Sequence, residues 1–376
     1  MVDRPSTVCQ DHRRSSRPSG PAYRFDDAGP AGPEVSVAFE AFGKVGDVRR
    51  DWRRLGRGGA MNPARRRPAL VWLLTAVLTA AAWLVPLTDP PAADARVTRI
   101  DVFSPSMNRW IANDVITPAT GAPTPTFYLL TGIGGGEDGI SWFNNSHVRD
   151  FFAGENVTVV LPVGGAFSMY TDWIADDPVL GRNSWQTYLT RELPAAVEQR
   201  FPSTGLRAIG GVSMSGGPAL DLAIQAPGFY RAAASYSGCP MTSGPLGEAI
   251  VRSMVEVGGR GNAANMWGPF GAPLWTVHDP MANAARLHGV EVFVSAASGW
   301  PGPIDNHDPG FVVPQTIGGA AVEALAAACT GLFELRLRSL GVPATFRYYP
   351  EGSHSWGLFE AELRDSWPLI ARAIGA

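Results

Sequence analysis

Two hydrophobic patterns alternate along the chain from about residue 127 onward. Short apolar runs have the length and β-branched content of buried strands, whereas longer stretches repeat apolar residues at helical spacing. This alternation predicts an α/β fold with a mostly parallel central sheet and helices on both faces. The predicted strands are Phe127–Thr131, Val157–Pro162, Arg207–Gly211, Ala232–Ser237, Val290–Ala296 and Thr345–Tyr349. The predicted helices are Trp185–Gln199, Pro218–Gln225, Gly318–Leu340 and a terminal helix from about Leu358.

The junction between one predicted strand and the next helix has unusual chemistry. Gly211-Val-Ser213-Met-Ser215-Gly-Gly217 follows the strand Arg207–Gly211 directly. A strand, a sharp turn and a helix present the nucleophilic serine of α/β-hydrolases, in which the usual motif is G-x-S-x-G. Here Ser215 replaces the last glycine, and the residue stays small. The pattern predicts Ser213 as a nucleophile, and the alternative is a Gly/Ser-rich turn that caps an ordinary helix.

A serine nucleophile needs a histidine base, which comes last in chain order in this fold. His354 lies between the predicted strand Thr345–Tyr349 and the terminal helix, in a loop at the carboxyl end of a strand. Open α/β sheets collect their active sites at such ends. The sequence therefore predicts His354 as the base, whereas we expect structural roles for His147 and His278.

The third group of a triad is an acid between the serine and the histidine, and composition does not choose it. Glu323, Asp279, Asp305 and Asp308 all lie between Ser213 and His354. Glu323 falls in a predicted helix, where an acidic residue usually faces solvent. Spacing alone leaves all of them open.

A set of collinear motifs resembles the antigen 85 family, the mycolyltransferases of mycolic-acid bacteria. The resemblance covers the chain from about Arg96 to the C-terminus and implies an α/β-hydrolase fold with a serine acyltransferase activity. The matching segments are Phe103–Asn108, Phe127–Leu130, Leu161–Gly165, Tyr170–Trp173, Gly211–Gly217, Met266–Pro269, His278–Pro280 and Gly352–Trp356.

The resemblance assigns roles residue by residue. Ser213 corresponds to the family's nucleophile, His354 to its base, and Glu323 to its acid, about one residue off in spacing to the histidine. Asp279 then falls in a shared noncatalytic turn. The oxyanion hole of this fold is formed by two backbone N–H groups, which the resemblance places at Met214 and Ile133.

One departure lies beside that turn. Family members with a trehalose-type acceptor site carry Asp-Gly-Leu-Arg, whose charged side chains contact the sugar, whereas this chain has Thr131-Gly-Ile-Gly134. Glu137 and Asp138 are the nearby candidates to replace the lost contacts.

Aromatic residues near the motifs are further candidates for substrate contacts. Trp356 and Trp267 are predicted to line the acyl channel, with core packing as the alternative. Asp172 is predicted to form part of the acceptor groove, with loop scaffolding as its alternative. Gly244–Pro273 interrupts the α/β alternation and is expected to cover the site.

The front end of the chain predicts export. Met61 begins a basic segment, Leu70–Val85 is apolar, and Ala93-Asp-Ala95 is a small-x-small cleavage site, as in a secretory signal. We expect residues 1–60 to be an upstream extension without a fold of its own, residues 61–95 a signal peptide, and residues 96–376 one hydrolase domain. An uncleaved membrane anchor is the alternative.

Charge and cysteine content exclude some partners. Residues 96–376 are acidic and contain no lysine, which argues against nucleic acid as a partner. No metal-ligand spacing and no nucleotide-binding fingerprint occurs, so no metal or other cofactor is predicted. Cys239 and Cys329 either pair or remain thiols.

These features together predict a secreted enzyme of the cell envelope. Its expected substrates are a mycolyl lipid ester as donor and trehalose or arabinogalactan as acceptor. No protein partner is implied. A carboxylesterase is the alternative within the fold, and a noncatalytic envelope-binding protein is the alternative outside catalysis.

Overall fold

The computed structural model describes residues 95–305 and 318–376. A single eight-stranded sheet forms the centre. The strands are β1 (Arg96–Ser104), β2 (Arg109–Thr117), β3 (Thr124–Leu130), β4 (Thr158–Val163), β5 (Ser203–Val212), β6 (Ala232–Tyr236), β7 (Glu291–Ala297) and β8 (Thr345–Tyr349). Their order in the sheet is β1-β2-β4-β3-β5-β6-β7-β8. Strand β2 pairs antiparallel with both β1 and β4, and all other pairs are parallel.

Helices connect the parallel strands. The α-helices are α1 (Trp142–Asn145), α2 (Val148–Phe151), α3 (Trp185–Thr187), α4 (Leu193–Arg200), α5 (Gly216–Gln225), α6 (Gly244–Arg252), α7 (Ala264–Trp267), α8 (Pro273–Val277), α9 (Ala320–Leu340) and α10 (Trp356–Ile374). Tyr188–Glu192 and Ser253–Gly258 are π-helical, and Ser213–Ser215, Ala284–Leu287 and Pro303–Asp305 are 3₁₀ turns.

Two apolar cores lie on opposite faces of the sheet. Along β3, Phe127 and Leu129 join one core while Tyr128 and Leu130 join the other, because side chains alternate along a strand. The C-terminal helix α10 packs into the core of Phe127. The predicted mostly parallel sheet with helices on both faces is therefore confirmed, and both faces of its central strands are buried.

The N-terminal hairpin was not among the predicted strands. In β1 the buried residues Ile100, Val102 and Ser104 alternate with exposed ones, and β1 pairs with β2 along its whole length. Such a strand contains no continuous apolar run, because only one of its faces is covered.

The predicted extension and signal peptide span residues 1–95, of which residues 1–94 lie outside the described residues. Within the described part of the chain, no helix is both long and apolar enough to span a membrane.

Candidate active site

Ser213 lies at the tip of a sharp turn between β5 and α5. Its φ is +57°, a left-handed conformation that non-glycine residues seldom adopt. Gly211 permits the turn, because a β-carbon there would lie 2.2 Å from the carbonyl oxygen of Ser215. The strand, turn and helix are those expected of a nucleophile elbow.

Ser215 explains how the elbow closes without the usual glycine. The amide of Val212 donates to Ser215 Oγ over 2.8 Å, and Ser215 Oγ is 3.0 Å from the Val212 carbonyl oxygen, to which it donates. Ser215 is fully buried. Its hydroxyl therefore stabilises the turn and does not point into the site.

His354 faces Ser213 from the loop after β8. Its Nε2 lies 2.8 Å from Ser213 Oγ, and its backbone is also left-handed, with φ +60°. Asp305 holds this loop from both sides of the histidine. Its Oδ1 accepts from the Ser353 amide over 2.6 Å and from Ser355 Oγ over 2.7 Å. Asp305 thus supports the histidine loop instead of contacting the imidazole.

Glu323 occupies the other side of the imidazole. Its Oε2 lies 2.7 Å from His354 Nδ1, and its Oε1 accepts from the Ala297 amide over 2.6 Å and from Ser237 Oγ over 2.9 Å. The carboxyl group is fully buried in the first turn of α9. Hydrogen bonds to a carboxylate favour its charged form, so these contacts suit an ionised Glu323.

The other acids that spacing left open take different positions. Asp279 accepts from the amides of Ser243 and Met281 and so closes a turn. Asp308 lies outside the described residues. Of the described candidates, Glu323 is the one that contacts His354.

A second buried carboxyl group stands behind Glu323. Glu362, on α10, is fully buried, and both its oxygens lie 3.1 Å from Ser237 Oγ. Burial, followed by the negative charge of Glu323, raises the pKa of Glu362 well above its usual range. No motif in the sequence indicated this residue, although its position one turn after Leu358 and one turn before Ser366 places it on the buried face of α10.

The predicted oxyanion residues flank Ser213. Met214 follows it in the chain, and Ile133 lies in the loop after β3. A β-carbon on Gly132 would lie 3.7 Å from the β-carbon of Ser213, so the loop passes close to the serine. Two further bonds fix this loop: the Phe167 amide donates to the Ile133 carbonyl and the Gly164 amide donates to the Gly135 carbonyl.

The residues of the altered sugar motif are differently exposed. Thr131 is buried, and its hydroxyl has no hydrogen-bond partner among the described residues. Gly134 faces Asp138, whose carboxylate would lie 2.0 Å from an added β-carbon. Glu137 is exposed and accepts from the Ala166 amide, and Asp138 accepts from the Ile140 amide.

The predicted substrate contacts lie at different distances from the surface. Asp172 accepts from both the amide and the hydroxyl of Thr187, which is the scaffolding alternative. Trp267 is buried, stacks on His278 and donates to Thr171, as a core tryptophan does. Trp356 is partly exposed and packs edge-on against Trp142 and Phe359.

A small apolar cavity of about 70 Å³ opens beside Ser213 and His354. The other residues that line it are mostly apolar and include four methionines: Met169, Met214, Met241, Met254, Ile250, Val251, Val322, Leu325, Ala326, Ser237 and Cys239. A disulfide joins Cys239 to Cys329, which answers the question that the sequence left open. The bond ties the loop after β6 to the helix that carries Glu323.

Comparison with known proteins agrees with this geometry. The family described as "Putative esterase" matches residues 104–369. The chain is 30% identical over 290 residues to the diacylglycerol acyltransferase/mycolyltransferase Ag85A of Mycobacterium leprae, covering 74% of this chain and 84% of that one. It is also 30% identical over 296 residues to the protein of the same name from Mycobacterium tuberculosis, covering 74% and 82%.

Solved structures are similar as well. The chain resembles Mycobacterium tuberculosis MPT51 with a TM-score of 0.62 and 28% identity, covering 74% of this chain and 99% of that one. An S-formylglutathione hydrolase from Agrobacterium tumefaciens matches with a TM-score of 0.55 and 16% identity, covering 77% and 99%. The second similarity is one of fold alone.

Proposed function

The chain belongs to the esterase family and, within it, to the antigen 85 family, and from this premise we propose that it is a secreted serine acyltransferase of the cell envelope. In this proposal Ser213 takes a mycolyl group from trehalose monomycolate and passes it to trehalose or arabinogalactan. The observation that carries the proposal is the hydrogen-bonded row from Ser213 through His354 to Glu323.

The row suits acyl transfer through a covalent intermediate. His354 Nε2 takes the proton of Ser213 Oγ as the oxygen attacks the ester carbonyl carbon. The resulting imidazolium is stabilised by ionised Glu323, which also fixes the tautomer. His354 then protonates the departing sugar oxygen, and the acyl group remains on Ser213. An acceptor hydroxyl then attacks the acyl carbonyl carbon and loses its proton to His354. The bond between the acyl group and Ser213 Oγ breaks, and His354 returns the proton to Ser213 Oγ.

The oxyanion of each tetrahedral intermediate needs backbone donors. The amides of Met214 and Ile133 are the proposed pair, because Met214 follows the nucleophile and Gly132 brings the loop of Ile133 beside it. Since backbone groups supply these bonds, the change from leucine to isoleucine at residue 133 leaves the proposed oxyanion hole intact.

The cavity beside Ser213 fits the start of an acyl chain. Its lining is largely apolar, and methionine side chains adapt to chains of different shape. The volume is small compared with a long acyl chain, so most of the chain must extend out of the cavity or displace these methionines. We infer that this opening, between α6 and α9, receives the lipid.

Export is part of the same proposal. A lipid donor in the cell envelope requires the enzyme outside the cytoplasm, and the basic and apolar segments before Ala95 predict this. The disulfide between Cys239 and Cys329 is of the kind that persists in oxidising, extracytoplasmic surroundings.

Product analysis tests the proposal. The enzyme is incubated with a long-chain trehalose monoester, with and without a second sugar, and the trehalose diester and free acid are quantified. Acyl transfer to the sugar, with an acyl adduct on Ser213 by mass spectrometry, is the expected result. Ser213→Ala should give neither product nor adduct, while Ser215→Ala is the matched control and should keep both.

The runner-up is a carboxylesterase, in which water alone accepts the acyl group. The observation that favours it is the loss of both charged sugar contacts at Thr131 and Gly134. Free acid as the sole product with trehalose or an arabinan acceptor would select this alternative. No product and no adduct would instead select the noncatalytic protein.

A further inference from the structure

We propose that Glu362 is a positioning residue that acts through Ser237. In this proposal the protonated carboxyl group of Glu362 donates a hydrogen bond to Ser237 Oγ, and the Ser237 hydroxyl in turn donates to Glu323. The proposal rests on the proposed function of Ser213, His354 and Glu323. It adds a neutral acid and a hydroxyl to the row behind the imidazole, so that five side chains are joined from α10 to the elbow.

The inference depends on the number of hydrogen-bond donors between Ser237 and the two carboxyl groups. Its single hydroxyl proton faces Glu323 Oε1 at 2.9 Å and both oxygens of Glu362 at 3.1 Å. An ionised carboxylate only accepts hydrogen bonds, and one hydroxyl donates only one proton. If both glutamates were ionised, one of the two contacts would be a repulsion between oxygen atoms. One glutamate must therefore carry a proton.

The surroundings identify the protonated partner. Apart from Ser237, Glu323 has two donors, because its Oε1 accepts from the Ala297 amide and its Oε2 faces His354 Nδ1. Glu362 has no ion pair among the described residues, and its polar neighbours Ser237 and Ser295 are uncharged. The titratable groups around it are Glu323 on α9, Tyr236 on β6 and Tyr349 on β8, none of which supplies positive charge. The proton accordingly belongs on Glu362.

This arrangement has a consequence for His354. With Glu362 neutral, Glu323 is the only negative charge of the pair, and its Oε1 is saturated by Ser237 and Ala297. Glu323 Oε2 then remains available to accept a hydrogen bond from His354 Nδ1. Ser237 has a left-handed backbone, with φ +47°, and its hydroxyl lies between the two carboxyl groups.

Two substitutions of Glu362 test whether its hydrogen-bond donor is needed. Glu362→Gln keeps a neutral donor for Ser237, so kcat for a p-nitrophenyl ester should stay within about threefold and the acidic limb of the kcat/KM profile should not move. Glu362→Leu removes the donor, and kcat should fall about tenfold, the loss of one buried neutral hydrogen bond, with KM unchanged.

A double-mutant cycle tests whether Glu362 acts through Ser237. If it does, Ser237→Ala combined with Glu362→Leu should be no slower than Ser237→Ala alone. Additive losses would show two independent packing effects and would overturn the proposal. If Glu362→Leu does not fold, Glu362→Gln and Ser237→Ala still test the proposal. A shift of the acidic limb of the kcat/KM profile to lower pH in Glu362→Gln would mean that Glu362 is ionised, and would overturn it.

An infrared measurement does not depend on any acyl substrate. The protein at neutral pH should show the carbonyl stretch of a protonated, buried carboxylic acid, and Glu362→Gln should lose it. If the band is present while Ser213→Ala retains activity, the proposed function fails and the protonation of Glu362 stands. If Ser213→Ala is inactive but the band is absent, the function stands and the role of Glu362 is refuted.

Discussion

His354 Nδ1 lies 2.7 Å from Glu323 Oε2, although 31 positions separate the two residues. The contact forms because α9 begins beside the carboxyl end of β7, while the loop after β8 brings His354 to the same edge of the sheet. Helices and loops at the carboxyl ends of parallel strands converge in this way. The position of Glu323 in the first turn of its helix is therefore what directs it inward.

This contact predicts a steep loss of activity in Glu323→Gln. The amide cannot stabilise the imidazolium and favours the wrong tautomer, so kcat should fall by about 10²–10⁴-fold with KM little changed. Asp279→Asn is the matched control and should mainly lower the unfolding temperature, because Asp279 closes a turn. Steady-state kinetics and thermal unfolding of both variants check this. A loss of rate confined to Asp279→Asn would refute the assignment.

The sequence predicted the central parallel strands well because β3, β4, β6 and β7 are buried on both faces. A continuous apolar run such as Val157–Pro162 indicates such a strand, and the structure has β4 at Thr158–Val163. Strand β1 was missed because burial of one face leaves only alternate apolar residues, as at Ile100 and Val102. Strand β2 was missed because the polar residues Asn113 and Asp114 interrupt its buried run.

Site residues that belong to a sequence motif could be predicted, whereas residues that only the fold brings to the site could not. The elbow and the histidine loop indicated Ser213 and His354, which the structure places in contact. Glu323 needed the family resemblance, because an acid in a helix gives no signal of its own. Glu362 contacts Ser237, and Asp305 contacts the histidine loop, through neighbours that only the fold brings together, so no local spacing indicates either contact.

The two serines of the elbow should behave differently. Ser213→Ala should abolish turnover and labelling by a fluorophosphonate, because the reactive oxygen is lost. Ser215→Ala should keep the labelling and lose about 1 kcal/mol of stability, since the bond that Val212 donates to its hydroxyl disappears. Mass spectrometry of the labelled protein locates the adduct. An adduct on Ser215 in the Ser213→Ala variant would show that the nucleophile is misassigned.

Glu362 should make stability fall as pH rises. Burial and the charge of Glu323 raise its folded-state pKa, so the folded protein binds a proton that the unfolded chain releases above about pH 4.5. This stabilisation is complete below the unfolded pKa and decreases steadily toward the folded pKa. Glu362→Gln should therefore gain thermal stability relative to the unmodified protein as pH increases from 5 to 8, with no gain near pH 4.

Asp177→Asn provides a matched control at another buried carboxyl group. Although burial opposes it, hydrogen bonds from three backbone amides and from the Asn265 side chain lower the pKa of Asp177. The stability that this group contributes is lost only as pH falls through the lowered pKa, so the effect of Asp177→Asn should be constant between pH 5 and 8. Thermal unfolding across this range compares the two variants. Parallel pH curves for both would contradict the buried, protonated state of Glu362.

The ratio of acyl transfer to hydrolysis should depend on positions Thr131 and Gly134. Transfer outcompetes hydrolysis only if the acceptor hydroxyl is held close to the acyl carbonyl, because water is present at far higher concentration. Without charged contacts at these two positions, free trehalose should bind weakly. We therefore expect transfer to trehalose to be slower than in relatives with the Asp and Arg contacts, and a larger share of free acid.

Restoring the contacts should shift this partition toward transfer, within limits that the structure sets. Thr131 is buried, and its hydroxyl has no partner among the described residues, so Thr131→Asp buries a carboxylate and will cost stability. Gly134→Arg must displace the Asp138 carboxylate, which lies 2.0 Å from where the β-carbon would be. Gly134→Arg is therefore combined with Asp138→Asn, because an ion pair with Asp138 would neutralise the introduced side chain. Asp138→Asn alone is the control. Diester and free acid are quantified with labelled trehalose. If the unmodified enzyme already forms diester with negligible free acid, another group such as Glu137 or Asp172 must hold the sugar, and the departure at Thr131 and Gly134 has no effect on the acceptor.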